Sequence, residues 1–282
     1  MQRDPLIWRV GERDIDCSER TLVMGILNVT PDSFSDGGQL ANTDAAVARG
    51  VQMLADGADI LDVGGESTRP GSDPVTAEEE MARTLPVIER LVAEAPGVPV
   101  SIDTRKAEVA AAAISSGASI VNDVSAGADP SMFATAAETN AAMVLMHMQG
   151  DPKTMQSDPH YEDVVGDVAA FLTARLDAAV AAGLERDSLV IDPGIGFGKT
   201  LEHNLALMKN IDAFSALGRP ILIGPSRKRF IGTLLGTEVD DRLEGTAAAV
   251  AWLAGSGAHI VRVHDVKEMV RVVRVVDAIV RS

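Results

Sequence analysis

Cysteine is almost absent from the sequence, because Cys17 is the only one among 282 residues. A lone cysteine excludes an internal disulfide and any zinc site built on several thiolates. Long apolar runs are also lacking, and no stretch approaches the ~20 residues that a membrane-spanning helix needs. The first ten residues, MQRDPLIWRV, lack the long apolar stretch of a signal peptide. We therefore expect a protein of a reducing compartment, the cytoplasm, with no membrane partner.

Positive charge is outweighed by negative charge. Lys and Arg number 25 against 41 Asp and Glu, which gives a formal net charge of −16 at pH 7. A chain this acidic repels the phosphate backbone of nucleic acids, so general nucleic-acid binding is disfavoured. Hydrophobic residues make up 46% of the chain and charged residues 23%, so a large core is available and disorder is not indicated.

Short β-branched runs alternate along the chain with alanine-rich segments of helical periodicity, which is the pattern of βαβ units around a parallel sheet. The predicted strands are Thr21–Leu27, Asp59–Val63, Val98–Asp103, Ser119–Asn122, Met143–His147, Ser188–Asp192, Pro220–Gly224 and His259–Val263. The predicted helices are Asp44–Ala55, Ala77–Ala95 with a capping box at Thr76 and Glu79, Lys106–Ser116, Ser131–Glu138, Tyr161–Ala182, His203–Phe214, Arg242–Gly255 and Val266–Arg281. This alternation favours an α/β fold of the closed (β/α)8 TIM barrel type, because closure leaves no edge strands, and an open doubly wound sheet is the alternative.

A short N-terminal β-hairpin is expected before the barrel. The runs LIWRV and RDIDC flank Gly11 and Glu12, and such a hairpin can plug the bottom of a barrel. No linker or low-complexity tract divides the chain, so we predict a single domain over residues 1–282, with the hairpin in 1–20 and the barrel in 21–282. The last predicted helix carries an apolar stripe that indicates core packing first and a dimer contact second. The stripe consists of Val266, Met269, Val270, Val273 and Val276.

Polar residues occupy the predicted carboxyl ends of the strands, which is where the active sites of such barrels lie. They are Asn28, Gly64-Gly65-Glu66, Asp103, Asn122-Asp123, His147, Asp192, Ser226-Arg227-Lys228, and Arg262 with His264. A single Asn or Asp at such a position is explained by a helix cap. Polar residues at most of the strand ends together favour a functional ring.

Two of the loops that follow strands are long and rich in Gly, Pro and hydroxyl groups, namely residues 30–38 and 67–71. Their composition fits either a mobile lid or an ordinary surface loop, and Phe34 and Arg69 favour substrate contact. A third segment, DPGIGFGKT (192–200), is not a P-loop, because Pro193 stands where that pattern requires Gly. It remains consistent with a close approach of backbone to a flat ligand.

Cations lie at the predicted ends of the seventh and eighth strands, the usual phosphate corner of these barrels. Arg262 and His264 are two residues apart, so both side chains lie on the same face of a strand and can address one anion; surface salt bridges are the alternative. The five His residues show no close metal-ligand spacing, so a zinc site is not expected. Mg²⁺ brought by a phosphorylated substrate needs only one or two protein oxygens, and Asn28 can supply one.

Eight segments of the chain carry a specific resemblance to a known family. They are MGILNVTPDSFSDGG (24–38), GADILDVGGESTRPG (57–71), SIDT (101–104), VNDVS (121–125), LMHMQGDPKTMQ (145–156), DPGIGFGKT (192–200), GPSRKRFIG (224–232) and HIVRVHDVKE (259–268). In this order, and over about Leu22 to Val280, they resemble the signatures of the dihydropteroate synthases of the bacterial folate pathway. The resemblance implies a homodimeric TIM-barrel transferase. It also implies the reaction, in which 6-hydroxymethyl-7,8-dihydropterin pyrophosphate and para-aminobenzoate give 7,8-dihydropteroate and pyrophosphate.

The resemblance also implies roles for the residues at matching positions. The groups expected to hydrogen-bond the dihydropterin, whose ring edge alternates donors and acceptors, are Asp103, Asn122, Asp192 and Lys228, with Gly224 in the same substrate site. The side chains expected to flank the ring faces are Met146 and Phe197. The pyrophosphate is assigned to Asn28, which also binds Mg²⁺, to Arg262 and His264, and to Thr68 and Arg69 of the second loop. The expected para-aminobenzoate pocket consists of Phe34, Pro70 and Ser226.

The mechanism that the resemblance implies is dissociative: pyrophosphate leaves first, and the arylamine attacks the cationic pterin methylene that remains. Stabilisation of the leaving group is assigned to Mg²⁺, Arg262 and His264, and stabilisation of the pterin cation to Asp103 and Asp192. Asp36 is expected to help once the first loop closes and excludes water. The predicted catalytic residues are thus Asp36, Asp103, Asp192, Lys228, Arg262 and His264.

One residue departs from the family pattern: Pro225 stands where a small residue or Met is expected, and it stiffens the turn before Lys228. Phe34 and Pro70 keep their usual identities, and the second loop has no insertion, so sensitivity to sulfonamides is predicted. Two alternatives stay open. A pterin-binding methyltransferase would lack the anion pair and the mobile loops, and a non-catalytic paralogue would bind pterin without synthesis.

Overall fold

The computed structural model describes residues 5–30, 38–67 and 71–281. These residues form a hairpin, β1 (Ile7–Val10) and β2 (Arg13–Asp16), followed by parallel strands that alternate with helices. The parallel strands are β3 (Leu22–Asn28), β4 (Ile60–Gly64), β5 (Val100–Asp103), β6 (Ile120–Asp123), β7 (Ala142–Met146), β8 (Leu189–Asp192), β9 (Leu222–Ile223) and β10 (Ile260–Val263). The helices of this part of the chain are α1 (Gly38–Ala55), α2 (Ala77–Glu94), α3 (Ala107–Ser115), α4 (Met132–Glu138), α5 (Val164–Ala181), α6 (Leu201–Lys209), α7 (Arg229–Leu235), α8 (Leu243–Ser256) and α9 (Val266–Arg281).

The eight parallel strands close into a barrel. They pair in the order β8-β7-β6-β5-β4-β3-β10-β9. The two ends of this order meet, because Ile191 of β8 forms a parallel bridge with Ile221, and its amide donates to the Pro220 carbonyl at 3.0 Å. The TIM-barrel prediction is therefore confirmed, and the open doubly wound sheet is excluded.

Side chains along each strand alternate between the barrel interior and the helix layer. Along β4, Leu61 and Val63 lie in the core between strands and helices, whereas Ile60 lies in a separate apolar core inside the barrel. Asp62 and Gly64 continue the inward row that Ile60 begins. The interior is thus apolar towards the amino ends of the strands and polar towards their carboxyl ends.

The hairpin closes the bottom of the barrel, as predicted. Trp8 is fully buried in the interior core, and its Nε1 donates to the Ser188 carbonyl at 3.0 Å. Gly11 takes φ 60° at the turn between the strands, a conformation that glycine adopts at little cost. Arg219 ties the hairpin to the barrel by donating to the Ile7 carbonyl at 2.8 Å.

Several element bounds differ from the prediction. Helix α1 begins at residue 38 instead of 44. The helix predicted over 203–214 is divided in two: α6 ends at Lys209 with Asn210 as its C-cap, and residues 211–217 form a separate 3₁₀ helix. The seven-residue α7 was not predicted, since it is too short for its periodicity to stand out. The β9 strand covers only two residues of the predicted 220–224. At α2, Thr76 accepts from the Glu79 amide at 3.2 Å, but the Glu79 carboxylate pairs with Arg83 and does not complete the capping box.

The apolar stripe of α9 packs against the barrel. Val266, Met269, Val270 and Val273 are buried in the core between strands and helices, and Val276 lies at its edge. Core packing therefore accounts for the stripe. In the described part of the chain, no helix is both long and apolar enough to cross a membrane.

Candidate active site

Arg262 of β10 reaches across the barrel interior and forms two ion pairs. Its Nε donates to Asp62 Oδ2 and its Nη2 to Asp103 Oδ2, both at 2.6 Å. Asp62 Oδ2 also accepts from Asn122 Nδ2 at 3.0 Å. One hydrogen-bonded network, drawn from β4, β5, β6 and β10, thus fixes these groups relative to one another at the mouth of the barrel.

Burial and the neighbouring charges shift the pKa values of the ionisable groups at the mouth. Burial raises the pKa of Asp103 to about 7, an effect that Arg262 opposes and the Asp62 carboxylate reinforces. Burial likewise raises the pKa of Asp192 to about 6, against the hydrogen bond from the Gly194 amide. Burial alone would lower the pKa of Arg262, but the carboxylates of Asp62 and Asp103 outweigh it, and the pKa is raised. The mouth therefore holds a permanent cation beside two carboxyl groups that titrate near neutral pH, a combination typical of functional sites.

Lys228 lies at the mouth with its ammonium over the ring of Phe197. Its Nζ is 3.8 Å from the ring centroid, within the range of a cation–π contact. Burial, and then the charge of Arg262, lower the pKa of Lys228 to about 7. No described residue accepts a hydrogen bond from this ammonium, and the buried Asp103 Oδ1 has no partner in the described part of the chain. The mouth thus offers Lys228 as a hydrogen-bond donor and Asp103 as an acceptor to a ligand that has acceptor and donor groups along one edge.

Apolar side chains line part of the same mouth. Met146, at the end of β7, and Phe197, in the loop after β8, are buried in one small cluster with Val124 and Met155. Their positions suit contact with a flat aromatic ligand.

The ends of β9 and β10 are joined by a hydrogen bond. Ser226 Oγ lies 3.0 Å from His264 Nδ1 and accepts from the His264 amide at 3.2 Å. Arg227 pairs with Asp265 through two contacts of 3.0 and 2.6 Å, so this arginine is engaged by its neighbouring loop. Arg262, in contrast, points into the barrel towards Asp62 and Asp103, because it lies in the inward row of β10.

Asn28 ends β3 and stands opposite Gly64 of β4 in the strand register. A Cβ placed on Gly64 would lie 3.7 Å from Asn28 Oδ1 and 3.6 Å from the Cβ of Asp103. The Asn28 carboxamide is therefore adjacent to the charged network. Gly224 is also close to it, since a Cβ there would lie 3.8 Å from the Cβ of Arg262.

Predicted site residues from several strands thus converge on one mouth. Asp62 was not predicted, although an acidic residue inside the apolar run ILDVG, in the inward row, is a signal that could have identified it. Other predicted site residues lie outside the described residues: Phe34, Asp36, Thr68, Arg69 and Pro70.

Comparisons with known proteins identify the family of this chain. A model of the family described as pterin binding enzyme matches residues 24–264. The dihydropteroate synthase of Bacillus subtilis is 48% identical over 94% of this chain and 90% of its own length. That of Escherichia coli is 47% identical over 91% and 90%. The chain belongs to the dihydropteroate synthase family. The predicted family is confirmed, and with it the assignment as a transferase of folate biosynthesis.

Solved dihydropteroate synthases share the whole architecture. That of Xanthomonas albilineans with 4-aminobenzoic acid is 45% identical, with a TM-score of 0.91 over 98% of both chains. That of Yersinia pestis in complex with a sulfonamide drug is 42% identical, with a TM-score of 0.92 over 98% of this chain and 100% of its own. The Xanthomonas albilineans enzyme has also been solved with 7,8-dihydropteroate, at 43% identity and a TM-score of 0.87 over 97% and 98%.

Proposed function

We propose that this dihydropteroate synthase joins 6-hydroxymethyl-7,8-dihydropterin pyrophosphate to para-aminobenzoate, giving 7,8-dihydropteroate and pyrophosphate. The proposal is carried by the buried network at the mouth, where no described residue accepts a hydrogen bond from the Lys228 ammonium or donates one to Asp103 Oδ1. Related enzymes solved with 4-aminobenzoic acid and with 7,8-dihydropteroate support this choice of substrates. Because the pterin pyrophosphate is a charged metabolite, we also propose that the reaction takes place in the cytoplasm.

The dihydropterin ring lies over the network in this proposal. Carboxylates accept hydrogen bonds from ring N–H groups, and an ammonium donates to ring oxygen or nitrogen, so the mouth complements an edge that presents both. The residues that hold this edge are Asp103, Asn122, Asp192 and Lys228, beside Gly224. Met146 and Phe197 contact the two faces of the ring.

The pyrophosphate lies beside Arg262, His264 and Asn28. Arg262 uses Nε and Nη2 for its carboxylate partners, and its Nη1 has no partner among the described residues, so it can donate to an anion. Within the described ranges, no group of three or more His, Cys, Asp or Glu side chains could hold a metal ion. Mg²⁺ held chiefly by substrate phosphate and water needs no such group, and the oxygen of Asn28 fits it as a single protein ligand. When bound there, Mg²⁺ would neutralise part of the charge on the pyrophosphate.

The reaction begins with cleavage of the C–O bond between the pterin methylene and the pyrophosphate, which takes the electron pair. Arg262 and His264 stabilise the charge that builds on this leaving group. Ionised Asp103 and Asp192 stabilise the positive charge left on the pterin. The amine of para-aminobenzoate then forms the C–N bond with its lone pair and afterwards loses a proton to water.

Residues of the two loops complete the proposed site by their matching positions. Ser226 lies at the described edge of the para-aminobenzoate pocket, where its Oγ contacts His264. By their matching positions, Phe34 and Pro70 complete this pocket, and Thr68 and Arg69 contact the pyrophosphate. Asp36 helps to exclude water from the pterin cation.

The test is product formation by the purified chain. With both substrates and Mg²⁺, we expect pyrophosphate and dihydropteroate in equal amounts, measured by a coupled phosphate assay and by mass spectrometry. Arg262→Ala should abolish both products. The exposed Lys267→Met, outside the mouth, serves as the control and should leave turnover unchanged. Pterin binding without product would contradict the proposal and favour a non-catalytic paralogue.

We further propose that the enzyme is a homodimer that uses the face formed by α6, α7 and α8. An apolar groove of about 500 Å³ lies between these helices. Three large side chains that line it, Leu234, Leu235 and Trp252, are each more than half exposed. An exposed apolar groove supports a protein–protein interface at this face, and a two-fold dimer would cover the same patch on both copies.

The dimer is tested by sedimentation of Trp252→Asp, which should be a folded monomer where the wild type is a dimer. Val275→Asp is the matched control, because Val275 is 60% exposed on α9, away from the groove, and should remain dimeric. A wild-type monomer at micromolar concentration would contradict the proposal.

A further inference from the structure

Lys199 is a buried lysine that the proposed chemistry does not use. Its side chain is 3% exposed. Its Nζ lies 2.9 Å from His147 Nδ1, 2.9 Å from the Phe197 carbonyl oxygen and 3.3 Å from the His147 carbonyl oxygen. An ammonium has three N–H donors, so these three contacts leave no donor for a substrate.

The three contacts hold in either protonation state of the lysine. Burial lowers the pKa of Lys199 to about 7 and that of His147 to about 3. His147 is therefore neutral, and its Nδ1 accepts from the ammonium. When Lys199 is a neutral amine, the other histidine tautomer can donate to it, and two amine N–H groups remain for the two carbonyls. These contacts form a bridge from Lys199 to His147 and to the Phe197 carbonyl, and this bridge does not depend on the charge of the lysine.

The bridge fastens two loops that already lie in close main-chain contact. Gly194 and Gly198 take φ 70° and 61°. A Cβ at Gly194 would lie 1.9 Å from the His147 carbonyl oxygen, and one at Gly198 would lie 2.5 Å from that of Gln149. The chain after β8 therefore rests on the chain after β7 at a distance that no side chain permits. Lys199 ties the two together where this contact ends.

The tied segments carry Met146 and Phe197, the two proposed walls of the pterin pocket. The carbonyl that Lys199 holds is that of Phe197, whose ring supports the Lys228 ammonium at 3.8 Å. The other tied residue, His147, directly follows Met146. A shift of this bridge would therefore move both proposed walls of the pterin pocket, and with them the ammonium of Lys228.

We propose that Lys199 is a positioning residue that sets the relative positions of Met146 and Phe197 for the pterin ring by bridging the His147 and Phe197 main chains. The inference rests on the proposed function, because it assigns the space between these two side chains to the pterin. Lys199 itself touches no substrate in this arrangement and acts through the two walls.

The test is a comparison of Michaelis constants in Lys199→Met, which keeps the length and removes the donors. We expect KM for dihydropterin pyrophosphate to rise about tenfold, because a looser pocket binds the ground state and the transition state equally less well. The kcat should stay within about threefold, and KM for para-aminobenzoate should not change. Lys267→Met is the control, since its side chain is exposed.

A second variant covers the case in which Lys199→Met does not fold. His147→Leu keeps the lysine and both carbonyl contacts and removes one of the three, so KM for the pterin substrate should rise by a smaller factor, about threefold. A folded Lys199→Met enzyme with an unchanged pterin KM would overturn the proposal, as would an equal rise in both Michaelis constants. A wild type that makes no dihydropteroate would instead overturn the proposed function itself.

Discussion

Asp62→Asn removes the charge at the centre of the buried network. Asp62 is fully buried, and its Oδ2 accepts from both Arg262 and Asn122. Asparagine has nearly the same shape but offers one acceptor oxygen in place of a carboxylate. Both donors use the same oxygen, so the asparagine carbonyl can still accept from each of them, but the charge is lost and Arg262 keeps only Asp103 as a counter-ion.

The expected cost follows from these contacts. Removal of one partner from a buried ion pair destabilises a protein by about 3–5 kcal/mol. The Arg262 side chain is 19% exposed and retains Asp103, so we expect a smaller cost than this, about 2–3 kcal/mol. In a domain of this size each kcal/mol lowers Tm by about 2–4 °C, which gives a decrease of about 4–12 °C. KM for the pterin substrate should also rise about tenfold, because a neutral acceptor holds Arg262 and Asn122 less firmly than a carboxylate does.

Thermal unfolding and steady-state kinetics on the same preparation measure both effects. The control is Asp177→Asn: this aspartate is 71% exposed and lies 3.9 Å from Arg186, so its loss should change the unfolding free energy by less than about 0.5 kcal/mol. Should Asp62→Asn unfold at the wild-type temperature with the wild-type KM, the network would not be what holds the mouth together.

Three further outcomes follow from the site. The Kd for 6-hydroxymethyl-7,8-dihydropterin, which carries no phosphate, should fall as pH rises from about 5 to about 6.5. The reason is that Asp192, with a pKa of about 6, must ionise before it accepts from ring N–H groups, whereas near pH 7 ionisation of Asp103 is opposed by loss of the proton from Lys228, whose pKa is also about 7; a Kd that is flat from about pH 5 to about pH 6.5 would contradict this. Gly194→Ala should destabilise the fold by more than about 3 kcal/mol in chemical denaturation, since its Cβ would clash with the His147 carbonyl. Gly218→Ala, at a similar φ of 68° with no atom within 4 Å, should cost only about 1–2 kcal/mol, and equal losses would refute the steric argument. A sulfonamide should raise the apparent KM for para-aminobenzoate and leave kcat unchanged; full turnover at concentrations that abolish a sensitive relative would count against this.

The barrel could be predicted from the sequence because strands that are buried on both faces consist of short apolar runs. Each predicted strand corresponds to one of β3 to β10 within a few residues. Short elements were the weak point. Helix α7 has seven residues and β9 has two, which is too few for a period to be read. The bounds of β9 are decided by its pairing with β10 and by the bridge to Ile191, contacts that lie far away in sequence.

The candidate site could be predicted where a polar residue ends an apolar strand, as at Asp103, Asn122 and Asp192. Asp62 was missed because it lies within its strand, yet the two-residue period places it in the inward row with Ile60. The role inferred for Lys199 could not be predicted from the residues next to it in the sequence. Its burial depends on how the loop after β8 rests on the chain after β7, which only the three-dimensional structure shows.

The most direct test of the account is a crystal structure of this enzyme with 6-hydroxymethyl-7,8-dihydropterin pyrophosphate and Mg²⁺. We predict a pterin ring between Met146 and Phe197, with its polar edge on Asp103, Asn122, Asp192 and Lys228 and its pyrophosphate beside Arg262. A pterin bound elsewhere on the molecule, or one that leaves Lys228 and Asp103 without a contact, would contradict it.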